Sequence, residues 1–216
     1  MKYTTLNFDH LALLTIDMQN DFLKGQSQEA YETTRIIPQL VELIDNFRKL
    51  KKPIVHMVRI YFKDGSNADL CRRENLEMGG KMLLPDADGC QLVMDLLPKK
   101  NIRLRTELLL KGGVQNVSPN EVIIYKPRWG AFYHTALKKY LDKIKVNSLI
   151  ITGCVFPNCP RATIYEASER DFKIGIVPEV LSGIYEKGIE EMKAIEVNIY
   201  SARNLINEME RHAIGK

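Results

Sequence analysis

A chain of 216 residues with 45% hydrophobic content can bury a sizeable core and suits one α/β domain, 1–216, better than two small ones. Its 31 basic and 27 acidic residues are spread along the chain and leave a net charge of +4, with no basic run interleaved with aromatics, which argues against nucleic acid as a partner. No stretch approaches the roughly 20 apolar residues of a membrane span, and MKYTTLNFDH lacks the apolar core of a signal peptide, so the expectation is a soluble cytoplasmic protein with no membrane partner.

The elements follow from hydrophobic patterning. Leu11 to Ile16 (LALLTI) is a continuous apolar run of the kind a strand shows when both faces of a parallel sheet are covered, and it ends at Asp17. Ala30 to Leu50 carries apolar residues at helical spacing (Ile36, Ile37, Leu40, Val41, Ile44, Phe47), and Ile54 to Ile60 (IVHMVRI) completes a first β-α-β unit. Residues 61–120 form a long irregular insertion, with a short helix expected from Cys90 to Leu97 and turn signals elsewhere; so long a connection is usually a lid or binding loop. A strand at Glu121 to Tyr125 closes with Lys126, and a helix is expected from Ala131 to Lys143.

Ser148 to Gly153 reads as a strand, followed by a helix from Pro160 to Asp171, a strand at Lys173 to Val177, a helix from Tyr185 to Ile195, an edge strand at Val197 to Tyr200 and a terminal helix from Arg203 to His212. The alternation predicts an α/β fold: three layers, a mainly parallel six-stranded, Rossmann-like sheet with helices on both faces. Sites in such sheets form at the carboxyl ends of the strands, where Asp17, Lys126 and Cys159 each fall.

Cys159 stands just ahead of Pro160, whose fixed φ and missing N–H suit a first helical position. The unpaired amides of a helix start favour negative charge and should lower the pKa of this thiol. With Asp17 as proton acceptor and donor, Lys126 as the stabilising cation and backbone N–H groups of the 154–159 turn for an oxyanion, the three residues suit nucleophilic attack on an amide carbonyl. The four cysteines of a chain without an export signal read as free thiols. The absence of C-x-x-C, and of a histidine near the Cys154 and Cys159 pair, argues against a metal. No cofactor is expected.

Other side chains carry weaker signals. Asp21 could brace a loop or touch a ligand, and Gln19 is similarly open. Glu166 and Arg170 stand four apart in the order that favours a surface ion pair. Arg59, Arg72, Arg73 and Arg128 could each hold a substrate carboxylate, with Arg128 favoured for its place near Lys126. Phe22, Trp129, Arg128 and Phe156 are the candidate pocket walls.

Three segments carry a resemblance: TIDMQNDF at Thr15 to Phe22, KPRWGAFYHTAL at Lys126 to Leu137, and GCVFPNCPRATIYEASERDF at Gly153 to Phe172. In order and interval the chain resembles the isochorismatase-like cysteine hydrolases, a superfamily that includes nicotinamidases, N-carbamoylsarcosine amidohydrolases, ureidoacrylate amidohydrolases and biuret hydrolases. The resemblance implies an Asp17, Lys126, Cys159 triad and a cis peptide between Cys154 and Val155. It also implies oxyanion donors at the N–H groups of Val155 and Cys159, and a homo-oligomer, dimer or larger. The chain departs from the nicotinamidase pattern in having no histidine in TIDMQNDF, which argues against a metal and against nicotinamide. The expected activity is cysteine-dependent hydrolysis of a small amide, ureide or carbamoyl compound through a thioester. The alternatives are hydrolysis of a vinyl ether by the Asp alone, as in isochorismatase, and a non-catalytic thiol sensor or binding protein on the same fold.

Overall fold

The computed structural model describes residues 2–26 and 28–214; positions 1, 27, 215 and 216 of the expected domain lie outside them. Its centre is β1 (Leu11–Ile16), paired in parallel with β2 (Ile54–Val58) on one side and β5 (Ser148–Gly153) on the other. Beyond β2 lie β4 (Glu121–Tyr125) and β3 (Val114–Ser118); beyond β5 lie β6 (Lys173–Leu181) and β7 (Asn198–Ile199). All pairings are parallel except the hairpin of β3 with β4.

The continuous apolar strands are explained by cover on both faces. Leu11 and Leu13 belong to a core beneath α1 (Ile37–Lys49) and α7 (Ala202–Ile214). Ala12, Leu14 and Ile16 point into a second core beneath α4 (Leu137–Lys143), α5 (Cys159–Ser168) and α6 (Glu186–Ala194). α1 buries Leu40, Leu43, Ile44 and Phe47, the i, i+3, i+4, i+7 stripe of a surface helix.

The predicted fold class holds, with differences of physical origin. The sheet has seven strands, not six. The added β3 is polar, lies at the edge and is interrupted by a bulge between Asn116 and Ser118, so its sequence reads as loop. The 61–120 insertion also contains α2 (Leu70–Glu77), which buries only Leu76, and the five-residue α3 (Thr106–Leu110).

The helix expected from Cys90 to Leu97 is instead two 3-10 turns, 88–90 and 94–96. The segment between them is drawn out by pairing with the loop after β1: Asn20 N–H donates to Gln91 O at 2.9 Å and Val93 N–H to Met18 O at 3.0 Å. The expected helix from Ala131 begins only at Leu137, because Ala131 N–H donates to Thr163 Oγ1 (3.1 Å) and Phe132 N–H to Glu166 Oε2 (2.7 Å) on α5. Gly130 makes this docking possible, since a Cβ there would lie 2.2 Å from the Glu166 carboxylate.

A buried polar chain ties the first three parallel strands to α1. Thr15 Oγ1 meets His56 Nδ1 at 2.8 Å, His56 Nε2 meets Glu121 Oε1 at 2.9 Å, and Arg48 donates to both Glu121 oxygens at 2.7 and 3.0 Å. Burial tends to raise the Glu121 pKa, yet the hydrogen bonds and charges of His56 and Arg48 win and hold it down to about 2. Native Glu121 therefore binds fewer protons than the unfolded chain does, so its contribution is complete above the ordinary value of 4.5 and vanishes as the pH falls to about 2. Glu121→Gln should lower unfolding stability by about 3 kcal/mol at pH 7. In denaturant titrations repeated down the acid range, the gap between the two proteins should close between those two pH values.

Candidate active site

The order β4, β2, β1, β5 makes β1 the point at which the chain reverses direction across the sheet, and the carboxyl ends of these four strands meet at one edge. Asp17 leaves β1 with φ of 53°, a left-handed conformation that Asp tolerates better than most residues; its N–H donates to Met57 O at 3.0 Å. Lys126 leaves β4 with its N–H on Val58 O at 2.9 Å. The two side chains cross over the end of β2 and meet, Lys126 Nζ to Asp17 Oδ2 at 2.8 Å, both almost wholly buried. Lys126 Nζ also donates to the carbonyls of Arg128 and Trp129, each at 3.2 Å, so its three N–H groups all have acceptors. Asp17 Oδ1 is buried and meets no donor at hydrogen-bonding geometry.

Cys159 opens α5, two turns of chain beyond the end of β5. Pro160 occupies the first helical turn, and Arg161 N–H returns to Phe156 O at 3.1 Å. The Cys154–Val155 peptide is cis. Gly153, at φ of 108°, lets this turn lie against β1, since a Cβ would sit 2.2 Å from Ile16 O. Cys154 is buried, with Sγ 3.0 Å from Asp17 O. The N–H groups of Val155 and Cys159 donate to no partner among the described residues.

The expected low pKa of Cys159 is overturned. Burial, and after it the negative charge of Asp17, push the thiol up to about 12 against the opposing charges of Lys126 and Arg59. Desolvation outweighs the helix start because the thiol is only partly exposed, at the wall of a cleft and next to a carboxylate. The resting group is a neutral thiol beside a carboxylate with one free oxygen.

Asp17 and Cys159 line a cleft of about 430 Å³ together with Phe22, Gln28, Glu29, Ala30, Arg72, Cys154, Val155 and Asn158. Of the four candidate walls only Phe22 lies there. Phe156 is fully buried in the core beneath α5, edge-on to Tyr185. Arg128 turns away to the carbonyls of Asn67 and Pro127 (3.0 and 2.7 Å), and Trp129 is 40% exposed, contributing its carbonyl to Lys126. The supposed Glu166 and Arg170 ion pair is absent: Glu166 serves Phe132 N–H, and Arg170 donates to the Glu166 backbone carbonyl at 2.7 Å. Asp21 is a brace, with Oδ2 accepting Leu83 N–H at 2.7 Å.

Gln19 clamps Arg59, accepting its N–H and donating to its carbonyl, both at 2.8 Å. Arg59 follows β2 as Asp17 follows β1, so the strand-end rule that selected Asp17 applies equally to it. Gln28, Glu29 and Asn158 carry no sequence signal, because loop closure alone brings them in. Among the described residues no three His, Cys, Asp or Glu side chains converge as a metal site requires.

Comparison with known proteins bears on the same region. The isochorismatase domain family model matches residues 11–201. The probable inactive nicotinamidase of Arabidopsis thaliana is 27% identical over 194 residues, covering 86% of this chain and 89% of the plant protein. An N-carbamoylsarcosine amidase of an Arthrobacter species is 30% identical over 90 residues, 42% of this chain and 32% of that protein. The crystal structure of an isochorismatase family protein from Desulfovibrio vulgaris superposes with a TM-score of 0.79 at 25% identity, covering 93% of this chain and 98% of the other.

A thiol raised to about 12 makes a direct prediction. Iodoacetamide labelling of Cys159 in the resting protein should be slow at neutral pH and rise about tenfold per pH unit without a plateau below pH 11. Mass spectrometry of the labelled peptide reads this out, and a plateau near pH 7 would mean a preformed thiolate.

Proposed function

Since the chain belongs to the isochorismatase family and is an isochorismatase-family hydrolase, we propose that it cleaves the C–N bond of a small amide, ureide or carbamoyl compound with Cys159 as nucleophile. The observation that carries this reading is the buried Lys126 and Asp17 ion pair, with one carboxylate oxygen unbonded and the Cys159 thiol of the α5 start close enough to feel the charges of both. The family alone leaves the bond open, because its members are named for different substrates. The relative named an N-carbamoylsarcosine amidase supports the C–N choice.

The chemistry follows from the charges. A thiol at about 12 does not ionise spontaneously, so Asp17 removes its proton as the sulfur attacks the carbonyl carbon. The proton passes to a carboxylate, the developing negative charge passes to the carbonyl oxygen, and the unpartnered N–H groups of Val155 and Cys159 stabilise it there by donating hydrogen bonds. Asp17 returns the proton to the departing nitrogen, leaving a thioester on Cys159 and free ammonia or amine. A water molecule, deprotonated by Asp17, cleaves the thioester and restores the thiol. Lys126 fixes the carboxylate through its 2.8 Å contact with Asp17 Oδ2. Reaction in the cytoplasm suits the four cysteines, all free in the structure.

Vinyl ether hydrolysis, the reaction the family name points to, needs proton delivery by Asp17 but no thiol. The placement of Cys159 against Asp17 favours the amidohydrolase. Ammonia release over a panel of amides, ureides and carbamoyl acids should fall by about three orders of magnitude in Cys159→Ala and in Asp17→Asn, and no further in the double variant. Acid quenching during turnover should trap an acyl adduct on Cys159, seen as added mass. Undiminished turnover by Cys159→Ala would refute the reading.

A further inference from the structure

We propose that Glu166 is a positioning residue for Lys126, acting through the loop from Arg128 to Phe132; its place in catalysis rests on the hydrolase reading above. Lys126 is fully buried, and besides Asp17 its ammonium meets the backbone carbonyls of Arg128 and Trp129, each at 3.2 Å. The direction in which the ammonium faces Asp17 therefore depends on where those two carbonyls stand. They belong to a stretch, 126–136, with neither helix nor strand, along which Trp129 and Tyr133 are exposed. No repeating backbone ladder fixes such a stretch, so its position has to come from side chains.

The holds come from α5. Phe132 N–H donates to Glu166 Oε2 at 2.7 Å, and Ala131 N–H to Thr163 Oγ1 at 3.1 Å. The buried Thr163 hydroxyl in turn donates to Cys159 O at 2.8 Å. One helix thus carries the nucleophile at its start and, about two turns along, the carboxylate that supports the loop directing the cation. Glu166 forms no ion pair among the described residues, so its bond to Phe132 is not the by-product of a charge pair. The Phe132 ring also packs on Phe172, 5.4 Å between centroids, which anchors that side chain but sets no direction for the Arg128 and Trp129 carbonyls.

Gly130 gives an independent handle on the same bond. It is not at a positive φ, so an alanine there strains no backbone. Its Cβ would nevertheless lie 2.2 Å from the Glu166 carboxylate and drive that flexible side chain off Phe132 N–H.

The test is acetylation of Lys126 by acetic anhydride, read by peptide mass spectrometry. Lys52, whose Nζ donates to Phe8 O at 2.6 Å just before β2 at the opposite edge of the sheet, is the control for general loosening. Glu166→Ala and Gly130→Ala should each raise the Lys126 rate about tenfold and leave Lys52 unchanged. Glu166→Gln keeps an acceptor and should behave like the unaltered protein. The proposal is overturned if Lys126 reacts no faster in Glu166→Ala, if Lys52 speeds up equally, or if Glu166→Gln matches Glu166→Ala. Ammonia release from the amide and ureide panel tests the hydrolase reading separately, and there both alanine variants should lose about tenfold in kcat with KM nearly unchanged. Faster acetylation without turnover by any of these proteins counts against hydrolysis and leaves the positioning standing; unchanged acetylation beside normal turnover does the reverse.

Discussion

The ion pair of Lys126 and Asp17 is the interaction on which the rest of this structure depends. Two charges are withdrawn from water at the edge of the sheet, a cost of several kcal/mol that their attraction offsets only when the geometry is good and the remaining donors are satisfied. The arrangement around them meets that condition. The Arg128 and Trp129 carbonyls complete the shell of the ammonium, and the loop bearing them is anchored on α5 through Glu166 and the space that Gly130 leaves. On the other side, Gln19 and the extended 91–93 segment hold the loop after β1.

That contact governs the state of the thiol. A helix start offers Cys159 favourable partial charges, but burial and the neighbouring carboxylate outweigh them, so the sulfur stays protonated until a carbonyl is there to receive the electrons. Moving a proton from sulfur to Asp17 while charge moves from sulfur to an oxyanion keeps the number of buried charges constant. A pre-ionised thiolate beside Asp17 would set two negative charges side by side at the wall of the cleft.

The buried chain Thr15, His56, Glu121 and Arg48 performs the corresponding structural task within the sheet. It fixes β1, β2 and β4 relative to α1, and therefore sets the spacing at which Asp17 and Lys126 emerge. Both polar systems cross β2, one through its middle and one above its end, where Arg59 joins Asp69 and Tyr61.

The amino-acid sequence by itself determined the alternation of strands and helices, the covered parallel sheet, and the convergence of Asp17, Lys126 and Cys159 on one edge. These are local consequences of hydrophobic period and of the rule that strand ends carry sites. It did not determine β3 or α2, which are polar or short, or the 91–93 segment, which owes its conformation to hydrogen bonds with the distant loop after β1. Nor could it distinguish Arg72 from Arg128, or place Phe156 in the core, because the direction of a loop side chain depends on which partner it meets. Tertiary structure alone decided the protonation of Cys159. Enclosure and the separation of charges belong to the folded assembly, and there desolvation exceeds the local preference that a helix start confers on its first residue.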